Sequence, residues 1–382
     1  MSGLAVLAVA ALAAWVYLLL GRGFFWLPSF LPPAPLPRRW PRVVAVVPAR
    51  NEAAVIGEAV ASLLAQDYPG GLEVVVVDDH SSDATADAAR AAARAAGAAD
   101  RLAVLQARAL PPGWTGKLWA LSEGVRAVEA RGAPPDLYLF TDADIAHGRG
   151  SLAGLVRTLE ARGAALVSLM VRLRCESLAE RFLIPAFVFF FAMLYPFAWA
   201  GDPRRRTAAA AGGCILLRRD AYHRAGGYEA IRGELIDDCA LAGRVKAHGR
   251  IALALARDTR SLRPYPRLRD IWAMVARTAY TQLGHSPARL AGTVLGLGLT
   301  FVAPPVLVFA GASGAWLAGG AWAAMAVAYA PMLAFYGRSP LWAPALPLVA
   351  LTYLAATLDS ARRHRAGRGG EWKGRVQWQS QR

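Results

Sequence analysis

The chemistry of this chain starts from Asp142-Ala143-Asp144, which follows the apolar run Leu137-Tyr138-Leu139-Phe140. That order puts two carboxylates at the carboxyl end of a buried strand, where open α/β sheets bind ligands. Two acidic side chains one residue apart in a strand-to-loop turn can hold a hard divalent cation, which grips a diphosphate through its free positions. Loop aspartates of this kind also simply cap turns, so the neighbouring motifs decide between the two readings. His147 is close enough in sequence to join such a set, although a lone loop histidine more often faces solvent or bonds backbone.

The elements that must position these residues sit in a chain too apolar for an ordinary soluble enzyme. It has 382 residues, 55% hydrophobic, with a mean hydropathy of +0.31, so part of it is expected in lipid. Cys175, Cys214 and Cys239 form no close-spaced pair, which argues against a zinc site or a disulfide framework and suits a reducing compartment. The formal net charge of +16 fits Arg-rich segments facing anionic headgroups. No nucleic-acid module accompanies it, and nucleic acid is not an expected partner.

Residues 1–21 read as a membrane anchor, because Leu4 to Leu20 is an uninterrupted apolar run. A cleaved signal peptide is the competing reading. No positive charge precedes the run, and Arg22, Arg38, Arg39 and Arg42 follow it, which suggests an uncleaved anchor with a cytoplasmic carboxyl side. A Pro/Arg-rich linker over 22–41 then leads to a domain over 42–286. There Val43 to Val47 reads as a strand, followed by a helix with Asn51 as its N-cap. Val74 to Val77 is a second strand, followed by an Ala-rich helix closed by Gly97. Leu102 to Gln106, a helix over Lys117 to Ala130, and Leu137 to Thr141 continue the pattern, which argues for a mostly parallel sheet covered on both faces. Beyond it lie a helix (Ser151 to Arg162), strands (Ala164 to Met170, Gly212 to Arg218) and a helix (Asp237 to Ala247). The Phe-rich stretch 182–200 is expected to lie in the interface or to cover the sheet, since a crossing there would separate later residues from Asp142. Residues 287–360 contain three apolar segments, near Leu290 to Ala312, Ala315 to Tyr336 and Leu341 to Leu358, each long enough to cross a bilayer. The tail 361–382 is basic. Three crossings would leave it outside, against the positive-inside tendency, unless one segment is re-entrant, with Pro304-Pro305 or the last segment as the broken one.

Three motifs occur in order, each at the carboxyl end of an expected strand: Val46-Val47-Pro48-Ala49-Arg50-Asn51-Glu52, Val76-Val77-Asp78-Asp79-His80-Ser81-Ser82-Asp83, and Thr141-Asp142-Ala143-Asp144. Together they resemble the family 2 glycosyltransferases, over about residues 42 to 260. The resemblance implies an α/β GT-A fold (nucleotide-diphospho-sugar transferase, Rossmann-like) with N-terminal and C-terminal transmembrane helices, and sugar transfer from a nucleotide diphosphate donor. It implies that Asp78 and Asp79 lie by the nucleoside with Pro48, Arg50 and Glu52, and that Lys117 in Gly116-Lys117 offsets diphosphate charge. Capping of a strand-helix turn remains open for Arg50, and solvated exposure for Lys117. Asp142 and Asp144 match the metal-binding carboxylates, for Mn²⁺ or Mg²⁺, with Asp144 the more direct ligand; Asp142 also belongs to the donor site. Leu235-Ile236-Asp237-Asp238 resembles the Glu-Asp element with Asp237 in place of Glu, which makes Asp238 the general base of an inverting displacement and leaves Asp237 free to act as a helix N-cap.

One departure matters. Processive members carry Gln-x-x-Arg-Trp, whereas this chain has Met274-Val275-Ala276-Arg277-Thr278; Arg277 is retained for the diphosphate and the tryptophan is absent. That favours transfer of one sugar to a lipid over polysaccharide synthesis. Pro112 to Leu121 with Ala276 to Leu283 is similar to the bacterial glycosyltransferases associated with hopanoid biosynthesis, and Trp372-Lys373-Gly374-Arg375 is similar to an element of ceramide-glucosyltransferase-like relatives. The resulting expectation is a multi-pass enzyme of the cell's inner (plasma) membrane. Its cytoplasmic catalytic domain would pass sugar from a UDP-sugar to a lipid acceptor such as a hopanoid. A polyprenyl-phosphate glycosyltransferase, a ceramide-glucosyltransferase-like glycolipid synthase and an inactive membrane scaffold with the GT-A fold stay open as alternatives.

Overall fold

The computed structural model describes residues 2–372 and 375–376. The chain divides into two compact units, one comprising Met1–Pro28, Cys175–Ala198 and Tyr265–Gly370, the other Ser29–Arg174, Trp199–Pro264 and Glu371–Arg382.

The second unit is built on eight strands: β1 (Val43–Ala49), β2 (Leu72–Asp78), β3 (Leu102–Gln106), β4 (Leu137–Phe140), β5 (Ile145–Ala146), β6 (Ala164–Arg172), β7 (Ile215–Arg218) and β8 (Arg250–Ser261). Every residue of β1 is buried, which is why the segment reads as a continuous apolar run rather than an alternating one. Its side chains still alternate between faces. Val43, Ala45 and Val47 pack with Val60 and Leu63 of the helix Ile56–Leu64, and Val44 and Val46 pack with Leu118, Leu121 and Val125 of the helix Gly116–Glu129. Gly124 lets that helix lie against the sheet, since a Cβ there would come within 2.5 Å of Val46 Cγ1 and 3.0 Å of Val77 Cγ2.

The sheet order is β3-β2-β1-β4-β7-β6-β8-β5. Parallel register pairs Ala49 with Asp78 and Val46 with Phe140, so the carboxyl ends of β1, β2 and β4 finish side by side. The expectation of a mostly parallel sheet holds for the pairs β1–β2, β1–β4, β2–β3 and β6–β8, which are parallel, but not for the rest. β7 runs antiparallel to both β4 and β6, and β5 antiparallel to β8, so the sheet is mixed. A short run of apolar residues such as Ile215–Leu217 does not report strand direction, which the connections decide. β4 and β5 are consecutive in the chain yet fourth and eighth in the sheet, a gap of about 19 Å if the sheet were flat. The connection is not extended, because Ile145 N–H donates to Asp142 O at 3.2 Å. The sheet therefore curls back, and the Asp142-Ala143-Asp144 turn joins its centre to its far edge.

Two further differences are local. Asn51 is not a helix N-cap: the helix starts at Ile56, and Asn51 sits at φ +53°, its Oδ1 accepting Ser82 N–H at 2.8 Å. Asparagine tolerates that left-handed conformation, which suits a turn. Strand β8 has no counterpart in the sequence reading, although its Ile251–Ala256 core is fully apolar.

The other unit is helical. Gly3–Leu20, Pro287–Phe309, Ala315–Phe335 and Pro340–Arg365 are long and apolar enough to cross a membrane, by length and composition. In the segment that contains Pro304-Pro305, a π-helical turn at Gly298–Val302 precedes the helix Ala303–Phe309, because prolines remove the N–H groups that regular i to i−4 bonds need. Thr300 O in that turn accepts Trp15 Nε1–H at 2.7 Å, and Trp15 packs edge-on to Phe301. The Phe-rich stretch forms the helix Leu178–Leu194, started by a Ser177–Glu180 capping box. Arg277 lies on the helix Leu268–Gln282 of this unit. In the tail, Glu371–Trp372 pairs antiparallel with Arg375–Val376, while Lys373 and Gly374 lie outside the described residues.

Candidate active site

The carboxyl ends of β1, β2 and β4 bring together most of the residues singled out from the sequence. After β1, Arg50 donates through Nη1 to Asp79 O and lies 3.6 Å from Asp79 Oδ2. Asp79 is fully buried, and its own N–H donates to Ala49 O at 2.8 Å, tying the β2 turn to the end of β1. Pro48 is the penultimate residue of β1, beside Val77. Asp78 accepts Ser81 N–H at 3.0 Å and the Ser81 hydroxyl, so one of its oxygens shapes the turn.

After β4, the two aspartates of the turn each meet a cation from a different element. Lys117 belongs to the first turn of the helix Gly116–Glu129, which Thr115 caps by accepting Leu118 N–H. Gly113 precedes it at φ +81°, a conformation that a residue with a Cβ adopts at a cost. The Lys117 ammonium is 3.0 Å from Asp142 Oδ1 and 3.3 Å from Asp237 Oδ2, with its side chain 21% exposed. Burial works against its charge, but Asp142, Asp237 and Asp238 together raise its pKa well above the ordinary lysine value. Burial raises the Asp142 pKa in turn, and Lys117 offsets that effect. Asp144, 7% exposed, accepts Arg263 Nε–H at 3.0 Å and the Ser261 hydroxyl at 3.1 Å on Oδ2. Arg263 Nη2 also donates to Glu52 Oε1, and Glu52 N–H donates to Thr85 Oγ1 at 2.8 Å.

Asp237 and Asp238 open the helix Asp237–Lys246. Asp238 accepts Cys239 N–H on Oδ1 at 2.7 Å and Gly212 N–H on Oδ2 at 2.9 Å. Burial and the charge of Asp237 push its pKa up to about 6, with Lys117 and the two N–H donors pulling the other way. Asp237 does not cap the helix; Ile236 occupies that position without a side-chain bond. Gly212 closes the arrangement, since a Cβ there would lie 3.1 Å from Lys117 Nζ and 3.5 Å from Asp238 Oδ2.

His147 stands apart from this set. Its Nε2 is 2.9 Å from Thr141 Oγ1, and burial lowers its pKa to about 4, so it is a neutral core histidine. Among the described residues no group of three or more His, Cys, Asp or Glu side chains is arranged to hold a metal ion. Sequence reasoning passed over Arg263, Ser261 and Gly212. The one signal for Arg263 is indirect: it lies two positions beyond the carboxyl end of β8, whose apolar core Ile251–Ala256 marks a strand, and such ends collect binding residues.

Residues 41–280 match the family described as glycosyltransferase like family 2. A 68-residue stretch is 40% identical to an N-acetylglucosaminyltransferase of Mesorhizobium japonicum (strain LMG 29417 / CECT 9101 / MAFF 303099), covering 16% of this chain and 16% of that protein, so the chain spans only a small part of that curated relative's length. Among solved structures, the mannosyltransferase PcManGT from Pyrobaculum calidifontis, in complex with GDP-Man and Mn²⁺, is similar with a TM-score of 0.57. It is 23% identical over 95% of this chain and 99% of that one, a likeness of fold. The family match extends over more than half of the sequence, and the chain belongs to the family 2 glycosyltransferases, with a GT-A-like fold built on a mixed, curled sheet.

Proposed function

We propose that this chain is an inverting, metal-dependent glycosyltransferase. It moves a single sugar from a nucleotide-diphosphate donor, a UDP-sugar, to a lipid at the cytoplasmic face of the inner membrane. The observation that carries the reading is the Lys117 ammonium, held between Asp142 on the β4 turn and Asp237 beside the candidate base. One cation thus links the diphosphate side of the site to the acceptor side.

The donor set suits a hard divalent cation. Two carboxylates plus substrate phosphate oxygens is the usual provision for Mg²⁺ or Mn²⁺ in such sites, and Asp142 and Asp144 supply the carboxylates. When bound, the ion would offset negative charge on the departing nucleoside diphosphate. Lys117 adds a positive charge on the same side, and Arg50, Glu52, Asp78 and Asp79, with Pro48, border the ends of β1 and β2 where the nucleoside would lie. Arg277 keeps its assignment to the diphosphate on the strength of the motif.

In this reading Asp238 accepts the proton of the acceptor hydroxyl. As that oxygen attacks the anomeric carbon, the bond from that carbon to the diphosphate oxygen breaks with its electron pair, and the anomeric centre inverts. The two backbone N–H donors fix the carboxylate while it waits. A lipid acceptor is supported by the four helices of spanning length and by the exposed apolar side chains along them, such as Leu4, Val6, Leu295, Phe309 and Trp316. Resemblance of Pro112 to Leu121 to the hopanoid-associated enzymes supports a polycyclic lipid.

The test is to incubate the purified protein in lipid with UDP- and GDP-sugars and total membrane lipid, with and without Mn²⁺, and to identify products by mass. A metal-dependent glycolipid is expected. Absence of any metal-dependent product from every donor would refute the proposal, and glycosylated polyprenyl phosphate as the sole product would replace the acceptor.

A further inference from the structure

Asp144 and Glu52 are buried carboxylates, 7% and 8% exposed, served by one guanidinium. Arg263 follows β8 and reaches both, its side chain 31% exposed. Ser261, on the last position of β8, donates to the same Asp144 oxygen that Arg263 holds. A carboxylate removed from water needs a positive or hydrogen-bonding partner, and Asp144 already has one without a metal. Asp142 is in the same condition through Lys117.

A divalent ion bound by Asp144 would therefore meet a resident positive charge at the same carboxylate. Two cations compete for one buried anion, and in a partly dry site their mutual repulsion is little screened. A diphosphate changes that balance. It brings oxygens that a planar guanidinium binds in bidentate fashion, so Arg263 gains another partner as Asp144 is released to the metal.

We propose that Arg263 is a resident counter-ion of Glu52 and Asp144 that makes metal binding conditional on the donor's diphosphate. This deepens the functional reading above and rests on Asp144 being a metal ligand. The nucleotide-free protein holds Mn²⁺ weakly, and by thermodynamic reciprocity the metal and the nucleotide tighten each other. Arg263 is thus a positioning residue, acting through Asp144.

The experiment uses the full chain in lipid, with Mn²⁺ alone as the first probe, read by the electron paramagnetic resonance of the free ion, and UDP or GDP as the second. Wild type should bind Mn²⁺ weakly alone and about 5- to 150-fold more tightly with nucleotide, the usual range of coupling between sites. Arg263→Gln should tighten Mn²⁺ binding in the absence of nucleotide by a similar factor and weaken metal-free nucleotide binding, while Arg263→Lys, which keeps the charge but not the planar fork, should hold Mn²⁺ binding alone near wild type and still weaken metal-free nucleotide binding. Because Arg263→Gln removes the positive charge shared by two buried carboxylates, its melting temperature should fall and be restored by Mn²⁺ more than that of wild type is raised. Unchanged Mn²⁺ affinity and no such restoration in Arg263→Gln, with wild type still binding Mn²⁺ and nucleotide together, overturns the counter-ion role and leaves the site reading standing. Failure of wild type to bind Mn²⁺ even with UDP and GDP overturns both.

Discussion

Replacing Asp238 with asparagine removes a base while keeping its shape. The carboxylate sits on the first turn of its helix, facing Asp237 on the same element, Lys117 from the helix Gly116–Glu129, and the Gly212 and Cys239 N–H groups. With the pKa pushed up to about 6, the group is mostly ionised at pH 7 and mostly protonated at pH 5, so kcat/KM should fall about tenfold per pH unit below that value. A positioned base contributes about 10²- to 10⁴-fold, equivalent to about 2.7–5.5 kcal/mol of transition-state stabilisation. Asparagine also turns an NH₂ towards one of the two N–H donors, so one charge-assisted bond is lost and some positioning with it. The assay is the initial rate of sugar transfer between pH 5 and 8, with donor affinity measured separately by titration. Asp238→Asn should lose turnover by the stated factor, retain donor binding, and lose the acid limb. Turnover within about threefold of wild type, or an acid limb that survives in the variant, would sink the assignment.

Other expectations follow from the same geometry. Lys117→Met removes the cation shared by Asp142 and Asp237, and nucleoside diphosphate affinity should drop by about 10- to 100-fold, since bonds to charged groups are worth about 1.5–3 kcal/mol; an unchanged titration would exclude Lys117 from the donor site. Gly124→Val should destabilise by about 1–3 kcal/mol, the cost of overpacking, because even a Cβ meets Val46 and Val77; a melting temperature equal to wild type would contradict that packing. Glu129 is bonded by Arg219 through two N–H groups, both at 2.7 Å, and by the Tyr138 hydroxyl. Chiefly through Arg219, these hold its pKa at about 2, against 4.5 for a free glutamate. Its stabilisation is present above pH 4.5 and lost as pH falls towards 2, by up to about 3 kcal/mol. Melting curves at pH 3 and 6 should therefore converge for wild type and Glu129→Gln at the lower pH, and a constant gap would count against the linkage.

The parts of the fold that could be read in advance are those whose burial leaves a pattern. Val43–Val47, Val74–Val77 and Leu137–Phe140 are strands covered on both faces, so each is a short apolar run ended by polar residues. Their carboxyl ends carry the motifs on which the family resemblance rests, and that resemblance is what singled out Arg50, Asp79 and Asp142 there, and Lys117 and Asp238 on the helices Gly116–Glu129 and Asp237–Lys246. Strand direction left no such trace, and Ile215–Leu217 gave no sign of running antiparallel between β4 and β6. Neither did the curl that sets β5 beside β8, since it depends on a turn closed by one backbone hydrogen bond. Arg263 was missed for a related reason: its partners Glu52 and Asp144 are more than a hundred residues away in the chain, and only the curled sheet brings them within reach of one guanidinium. Asn51 shows the reverse case, a residue type that fits a cap and is used for a left-handed turn.

The most direct test of the account is the stereochemistry of a single turnover. An α-linked nucleotide sugar offered with lipid acceptor and Mn²⁺ should give a β-linked glycolipid by NMR, and Asp238→Asn should give little of it. An α-linked product, or sugar released to water at the same rate with and without acceptor, would contradict a single displacement organised by Asp142, Asp144 and Asp238.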